Sequence, residues 1–266
     1  MKNDNPLDTV VNYMKAHWPS KVKPEWQVSL DEYAPIVTRV VADFTAGATK
    51  NRRFIRIAGL SGSGKTTQIL PAVEAYNETH GISPVLVAAR RFVEYHPHYQ
   101  EIKDFYGEAN LRKMTDEFST IMMFMVLSEL TRGGYDIVLD VTLLDPAVER
   151  IIIEMSKGGN YEPTFLMIAT SPAVTEHFLA GRAWRHTRAT EEEFIRATSY
   201  ALQFYGDTYP NLRIILWSVY DLPPIYDGPV SGALDIFADY SSRTKLPAPD
   251  DDARRSAKIA YLSQSL

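Results

Sequence analysis

Gly59-Leu60-Ser61-Gly62-Ser63-Gly64-Lys65-Thr66-Thr67 carries the clearest chemistry in the chain. It fits G-x-x-x-x-G-K-[ST] without departure, the pattern of a loop whose backbone N–H groups wrap nucleotide phosphates. Gly59, Gly62 and Gly64 free the backbone to turn those groups inward. Ser61, Ser63 and Thr67 complete the cradle, and the helix that follows adds its positive end. Lys65 reaches the β- and γ-phosphates, and the Thr66 hydroxyl is placed to ligate Mg²⁺. The expected ligands are therefore ATP and Mg²⁺. A strand-to-helix turn without a ligand is the competing interpretation.

Two further features could serve the same chemistry. Arg182, Arg185 and Arg188 recur at spacings of three between two helical stretches. Planar guanidinium forks on such a loop can clamp a transferring phosphoryl group. We assign Arg182 and Arg188 to catalysis and Arg185 to cofactor binding. A solvated basic turn paired with Glu191, Glu192 and Glu193 is the alternative. Asp140 closes the apolar run Ile137-Val138-Leu139, where an acid at the carboxyl end of a parallel strand faces the ligand crevice. There it would hold the Mg²⁺ water shell or orient a nucleophile, unless it only caps the next helix. His96 and His98 flank Pro97 and read as turn residues, not metal ligands.

These groups need a scaffold. Apolar β-type runs at 54–58, 84–87, 136–139, 164–168 and 212–217 alternate with helical patterns at 64–78, 97–131, 146–157, 171–180 and 191–205. That alternation predicts an α/β fold: a parallel sheet with helices on both faces. Residues 1–50 read as an N-terminal helical extension, with Val10, Val11, Met14 and Trp18 on one stripe and a second helix over 31–44. Residues 51–243 form the kinase-like domain, and 244–266 a tail with one weak helix. Thr190-x-x-Glu193 reads as a capping box that opens a helix at about Glu191. Pro71, inside the helix after the loop, removes a backbone donor and should kink it.

Composition narrows the class. The 266 residues carry 28 Lys plus Arg against 33 Asp plus Glu, a net charge of −5. This lacks the basic footprint of a duplex-DNA binder, so no nucleic-acid partner is expected. The absence of cysteine excludes disulfides, thiol catalysis and Cys-ligated metal. The apolar run Ile121–Leu127 is far short of the ~20 residues a membrane span needs. The first residues show no apolar signal-peptide core. A cytoplasmic protein without membrane partners is expected.

Gly59 to Thr67, then Arg90-Arg91-Phe92-Val93-Glu94-Tyr95-His96-Pro97-His98-Tyr99, then Gly134 to Thr142, together resemble the zeta toxin family. Arg182, Thr187-Arg188-Ala189-Thr190 and Asn211-Leu212-Arg213-Ile214 fit as well, so the resemblance covers about 50–230. It implies a P-loop kinase that uses ATP and Mg²⁺ to phosphorylate UDP-N-acetyl sugars at the 3′-hydroxyl, and an antitoxin or regulatory protein as partner. The acceptor half departs from the family. Its base, an Asp, falls at Arg90, its Arg before the His at Val93, and a substrate-binding Glu near Phe124. A further Arg falls at Leu144, and a Gly at Val141. A guanidinium cannot accept a proton. The expectation is thus a phosphotransferase acting on a small molecule of the nucleotide or nucleotide-sugar class, with the acceptor changed. An ATP-binding, catalytically weak relative acting as a switch is the second hypothesis, and a nucleotide hydrolase the third.

Overall fold

The structure, a computed structural model, describes residues 6–17, 19–60, 62–141, 146–179, 188–243 and 251–266. Helices α1 (Pro6–His17) and α2 (Leu30–Thr45) precede the first strand, β1 (Arg53–Gly59). The phosphate loop then leads through a π-type turn, Lys65–Ile69, into α3 (Leu70–Thr79) and strand β2 (Val85–Val87). A 3-10 segment, Ala89–Tyr95, follows, then α4 (Tyr99–Tyr106), α5 (Glu108–Met114), α6 (Asp116–Gly133) and β3 (Ile137–Asp140). The second half runs α7 (Pro146–Gly158), β4 (Glu162–Ala169), α8 (Pro172–Leu179), α9 (Arg188–Thr208), β5 (Arg213–Ser218), β6 (Tyr226–Pro229), α10 (Leu234–Ser242) and α11 (Asp251–Ser265).

The strands form one sheet in the order β2-β3-β1-β4-β5-β6. The first five are parallel, and only the edge strand β6 runs antiparallel. Side chains alternate across the sheet with the period of two that an extended backbone imposes. Ile55 and Ile57 of β1 face a core with α3, Trp217 and Leu262 of α11. Phe54 faces the opposite layer with α1, α2 and α6, and Ala58 faces the adjoining apolar cluster that includes α9 and α10. Val11, Met14, Tyr33, Val37 and Val40 of the N-terminal helices are buried within that first layer.

Local differences from the sequence expectation have physical causes. The single helix expected over 97–131 is three helices. Gly107, at φ +81, ends α4 in a backbone state that L side chains rarely adopt. Helix α9 starts at Arg188, three residues before the capping-box position. Arg188 and Ala189 have high helix propensity and extend it. The kink expected from Pro71 is the π-type turn. Having no N–H, Pro71 leaves the Thr67 carbonyl without its i+4 donor, and Arg255 Nε of α11 donates to it instead at 3.2 Å. Buried Lys258 Nζ likewise donates to Gln68 Oε1 at 3.1 Å. The terminal helix is thus packed along the helix that carries the loop. No helix among the described residues is long and apolar enough to cross a membrane.

The start of β3 is fixed by Asp136, fully buried, which accepts bonds from Thr49 Oγ1, the Asn51 and Arg53 backbone N–H groups, and Asn51 Nδ2, at 2.6 to 3.0 Å. Burial pushes its carboxyl up, but those hydrogen bonds win and hold it below the usual range. Asp136→Ala is expected to cost about 3 kcal/mol in urea unfolding, since two backbone N–H groups lose their acceptor. Because the folded-state pKa is the lower one, this contribution is present above about pH 4 and disappears as pH falls through the folded value.

Candidate active site

The site lies at the carboxyl ends of β1, β2 and β3, where an open parallel sheet leaves its crevice. β1 delivers the phosphate loop. Gly59 has φ +144, and a Cβ there would sit 2.9 Å from Ser63 Oγ and 3.2 Å from the Ile168 carbonyl oxygen. Gly64 has φ +95 with Gln68 packed against it. Both positions therefore require glycine for backbone state and for space. Thr66 and Thr67 are exposed at the loop mouth.

Lys65 Nζ donates to the Gly59 and Leu60 carbonyls at 2.6 and 2.8 Å. Burial lowers its pKa to about 8, and the charges of Arg90, Arg112 and Arg56 act in the same direction against the opposing pull of Asp140. Ser63 Oγ is buried and has no hydrogen-bond partner among the described residues, and the same holds for Thr170 Oγ1 just past β4. A buried hydroxyl without a partner is costly unless a ligand satisfies it. Positive-φ glycines, a half-sheltered ammonium and an orphaned loop hydroxyl together fit a polyphosphate. Thr66 and Asp140 each offer an oxygen group of the kind a hard divalent cation takes.

Asp140 ends β3 with its side chain only 3% exposed, paired with Arg90 Nη1 at 2.7 Å. Arg90, on the 3-10 segment after β2, keeps 39% of its side chain exposed. The structure thus joins the two residues that sequence placed 50 positions apart. Val93 is buried in an apolar cluster with Val22, Ile102 and Leu111. Phe124 is fully buried in the layer shared by α1, α2 and α6, so it fills core and does not line an acceptor pocket. His96 packs edge-on to Phe118 at 4.6 Å, and its Nδ1 accepts the His98 N–H at 3.1 Å. Burial pulls His96 down to about 4, so it is a neutral turn residue at physiological pH. Arg188 is the first residue of α9. Ser61, Leu144, Arg182 and Arg185 lie outside the described residues.

Sequence reasoning missed a polar cluster beneath this crevice. Arg56, in the middle of β1, gives Nε and Nη2 to Glu149 of α7 at 3.1 and 2.5 Å, and Nη1 to the Val141 carbonyl at 3.1 Å. Tyr205 of α9 donates its hydroxyl to Glu149 Oε2 at 2.8 Å. A single charge inside the apolar run Phe54-Ile55-Arg56-Ile57-Ala58 was the available signal.

A sequence model of the zeta toxin family matches residues 42–208, well over half of the chain. The chain belongs to the zeta toxin family. Toxin PezT of Streptococcus pneumoniae serotype 4 is 26% identical over 146 residues, 54% of this chain and 56% of that protein. The chain therefore matches little more than half the length of this relative. The fold also superposes, with TM-score 0.66 and 19% identity over 90% of this chain and 99% of the other, on a structure described as the PezAT chromosomal toxin–antitoxin system of the human pathogen Streptococcus pneumoniae. This zeta toxin family member accordingly has the P-loop kinase-like fold.

A nucleotide bound at this loop would meet a cation whose charge depends on pH. Only the ammonium pairs with phosphate, so affinity for Mg²⁺–ATP is expected to fall as pH rises through about 8, by up to about tenfold per unit. Lys65→Arg should flatten that slope. Calorimetric titrations at pH 7 and pH 9 decide it. The linked stability effect has the opposite sense. The unfolded chain holds this proton up to its ordinary value of 10.5, the folded chain only to about 8, so stability rises with pH between the two.

Proposed function

We propose that this zeta toxin family member is an ATP-dependent phosphotransferase with a small-molecule acceptor of the nucleotide or nucleotide-sugar class, changed from UDP-N-acetylglucosamine. One observation carries this reading: a fitted phosphate loop and Asp140 share one crevice, while Arg90 stands on that carboxylate. When bound, Mg²⁺–ATP supplies the γ-phosphoryl group and departs as ADP, with the metal neutralising charge on the transferring oxygens. Lys65 would bind the β- and γ-phosphates, and Thr66 would hold the metal with Asp140 facing its water shell. Asp140 orients the acceptor hydroxyl, whose proton passes to solvent as the new P–O bond forms and the bond to ADP breaks. Arg90, part of whose side chain stays exposed beside its bond to Asp140, binds an anionic group on the acceptor. Arg182 and Arg188 clamp the group in flight, and Arg185 binds the nucleotide.

Phosphoryl transfer has a loose transition state and depends more on alignment and charge than on a strong base, so loss of the family's Asp is compatible with turnover. The natural setting is the cytoplasm, with an antitoxin or regulatory protein as partner. A second reading, a nucleotide-binding switch, is favoured by the same Arg90–Asp140 pair, because a carboxylate already engaged is a poorer base. Incubating the protein with Mg²⁺–ATP and a metabolite panel, read by mass shift, separates them. The kinase reading expects a phosphorylated acceptor, lost in Asp140→Asn. ADP release without an acceptor makes the protein a hydrolase, and binding without turnover makes it a switch.

A further inference from the structure

We propose that Arg56, Glu149 and Tyr205 are positioning residues that hold the chain just beyond Asp140 in place relative to the phosphate loop. The proposal rests on the phosphotransferase reading for its effect on turnover, but not for its structural content. All three side chains are fully buried. A guanidinium and a carboxylate removed from water cost several kcal/mol to desolvate, and apolar residues of similar volume commonly serve stability as well or better. Stability alone is therefore a poor reason for this pair to sit in an apolar strand.

Its connections supply a better reason. Arg56 lies three residues before Gly59, so it is rigidly linked to the loop through β1. In the sheet Arg56 stands beside Leu139 and Ile57 beside Asp140, where the ladder between β1 and β3 ends. Val141, the next residue, has left the ladder, and its carbonyl is taken by Arg56 Nη1 at 3.1 Å. Arg56 thereby replaces the missing sheet bond and fixes the peptide that follows the reactive carboxylate. Glu149 locks the guanidinium from α7 through two hydrogen bonds. Tyr205 locks Glu149 from α9, the helix whose first residue is Arg188. Burial and the Glu149 charge beside it drive the Tyr205 phenol well above its ordinary value, so its proton stays in the hydrogen bond at any working pH. One cluster thus ties the loop strand, the Asp140 strand and the Arg188 helix together. A 1 Å error in such an alignment can cost about a hundredfold in rate.

The test is the triple variant Arg56→Met, Glu149→Leu, Tyr205→Phe, which removes the guanidinium, the carboxylate and the phenol together and leaves the Val141 carbonyl without its Arg56 donor. Thermal midpoint and Mg²⁺–ATP affinity are expected to stay level or rise, while the amides of Asp140 and Val141 exchange with deuterium at least about tenfold faster. Turnover on the acceptor found above should fall by about tenfold or more, with little change in KM for ATP. Unchanged exchange and unchanged turnover in a folded triple variant would show that the cluster only packs the core, and overturn the proposal. If the unaltered protein transfers no phosphate, the functional reading fails, and the exchange measurement still decides the positioning role. Should the triple variant not fold, Tyr205→Phe removes one hydroxyl and carries the same measurements. A drop of about threefold in turnover with faster Val141 exchange supports the proposal, and no change in either sinks it.

Discussion

Lys65→Ala is expected to lower Mg²⁺–ATP affinity by about a hundredfold, ~2.7 kcal/mol, without lowering the thermal midpoint. The ammonium sits within the loop at 2.6 and 2.8 Å from two of its carbonyls, so a bound polyphosphate meets it without a conformational search. Charge-assisted hydrogen bonds are worth ~1.5–3 kcal/mol each, and this cation serves two phosphates. The stability control is what makes the result interpretable. Burial holds Lys65 down to about 8, which means that the charged form is a cost to the folded state at neutral pH. Removing it relieves that cost, so lost affinity could not be blamed on unfolding. Unchanged calorimetric affinity would end the assignment of the loop as a nucleotide site.

UDP-N-acetylglucosamine is expected to be a poor acceptor. Arg90 is the reason. Phe124 fills the core, and Leu144 lies outside the described residues, so neither adds to it. At the position of the family's base stands a guanidinium that is itself bonded to Asp140 at 2.7 Å. An acceptor hydroxyl then loses one charge-assisted contact outright and finds the other carboxylate occupied. Each loss is worth ~2–3 kcal/mol, roughly thirty- to more than a hundredfold in rate. Arg90→Asp should reverse both at once. It frees Asp140 and places a second carboxylate beside it, whose repulsion raises the pKa of the pair toward that of a useful base. Transfer to the UDP-sugar is expected to increase by about thirtyfold or more in that variant, read by the phosphorus spectrum. Rapid 3′-phosphorylation by the unaltered chain would remove Arg90 from the acceptor site.

Much of this molecule was legible before its coordinates. The loop motif Gly59–Thr67 is contiguous, so its residue types disclose where the chain takes positive φ, at Gly59, Gly62 and Gly64. The five parallel strands announce themselves as short apolar runs bounded by polar turns, and β1 to β5 fall within a few residues of where periodicity puts them. The long helix failed at Gly107 because an amphipathic stripe continues across a break that one positive φ introduces. Pro71 disclosed a kink but not the remedy, since the donor to Thr67, Arg255, stands 188 residues further along the chain.

The sequence by itself therefore determined the strands, most helices and the glycine-rich loop motif, because each is written in residues close enough together to share a turn or a strand. The partners were decided only by the tertiary structure. Strand order β2-β3-β1-β4-β5-β6 brings β3 beside β1, and with it Asp140 beside the loop and Arg90 onto Asp140. The same register turns Arg56 toward Glu149, 93 positions away, and toward the Val141 carbonyl. A charge in an apolar strand shows that a partner must exist, because its desolvation has to be compensated. Which residue compensates it depends on how the sheet pairs and how helices pack across its face, and no local spacing encodes that.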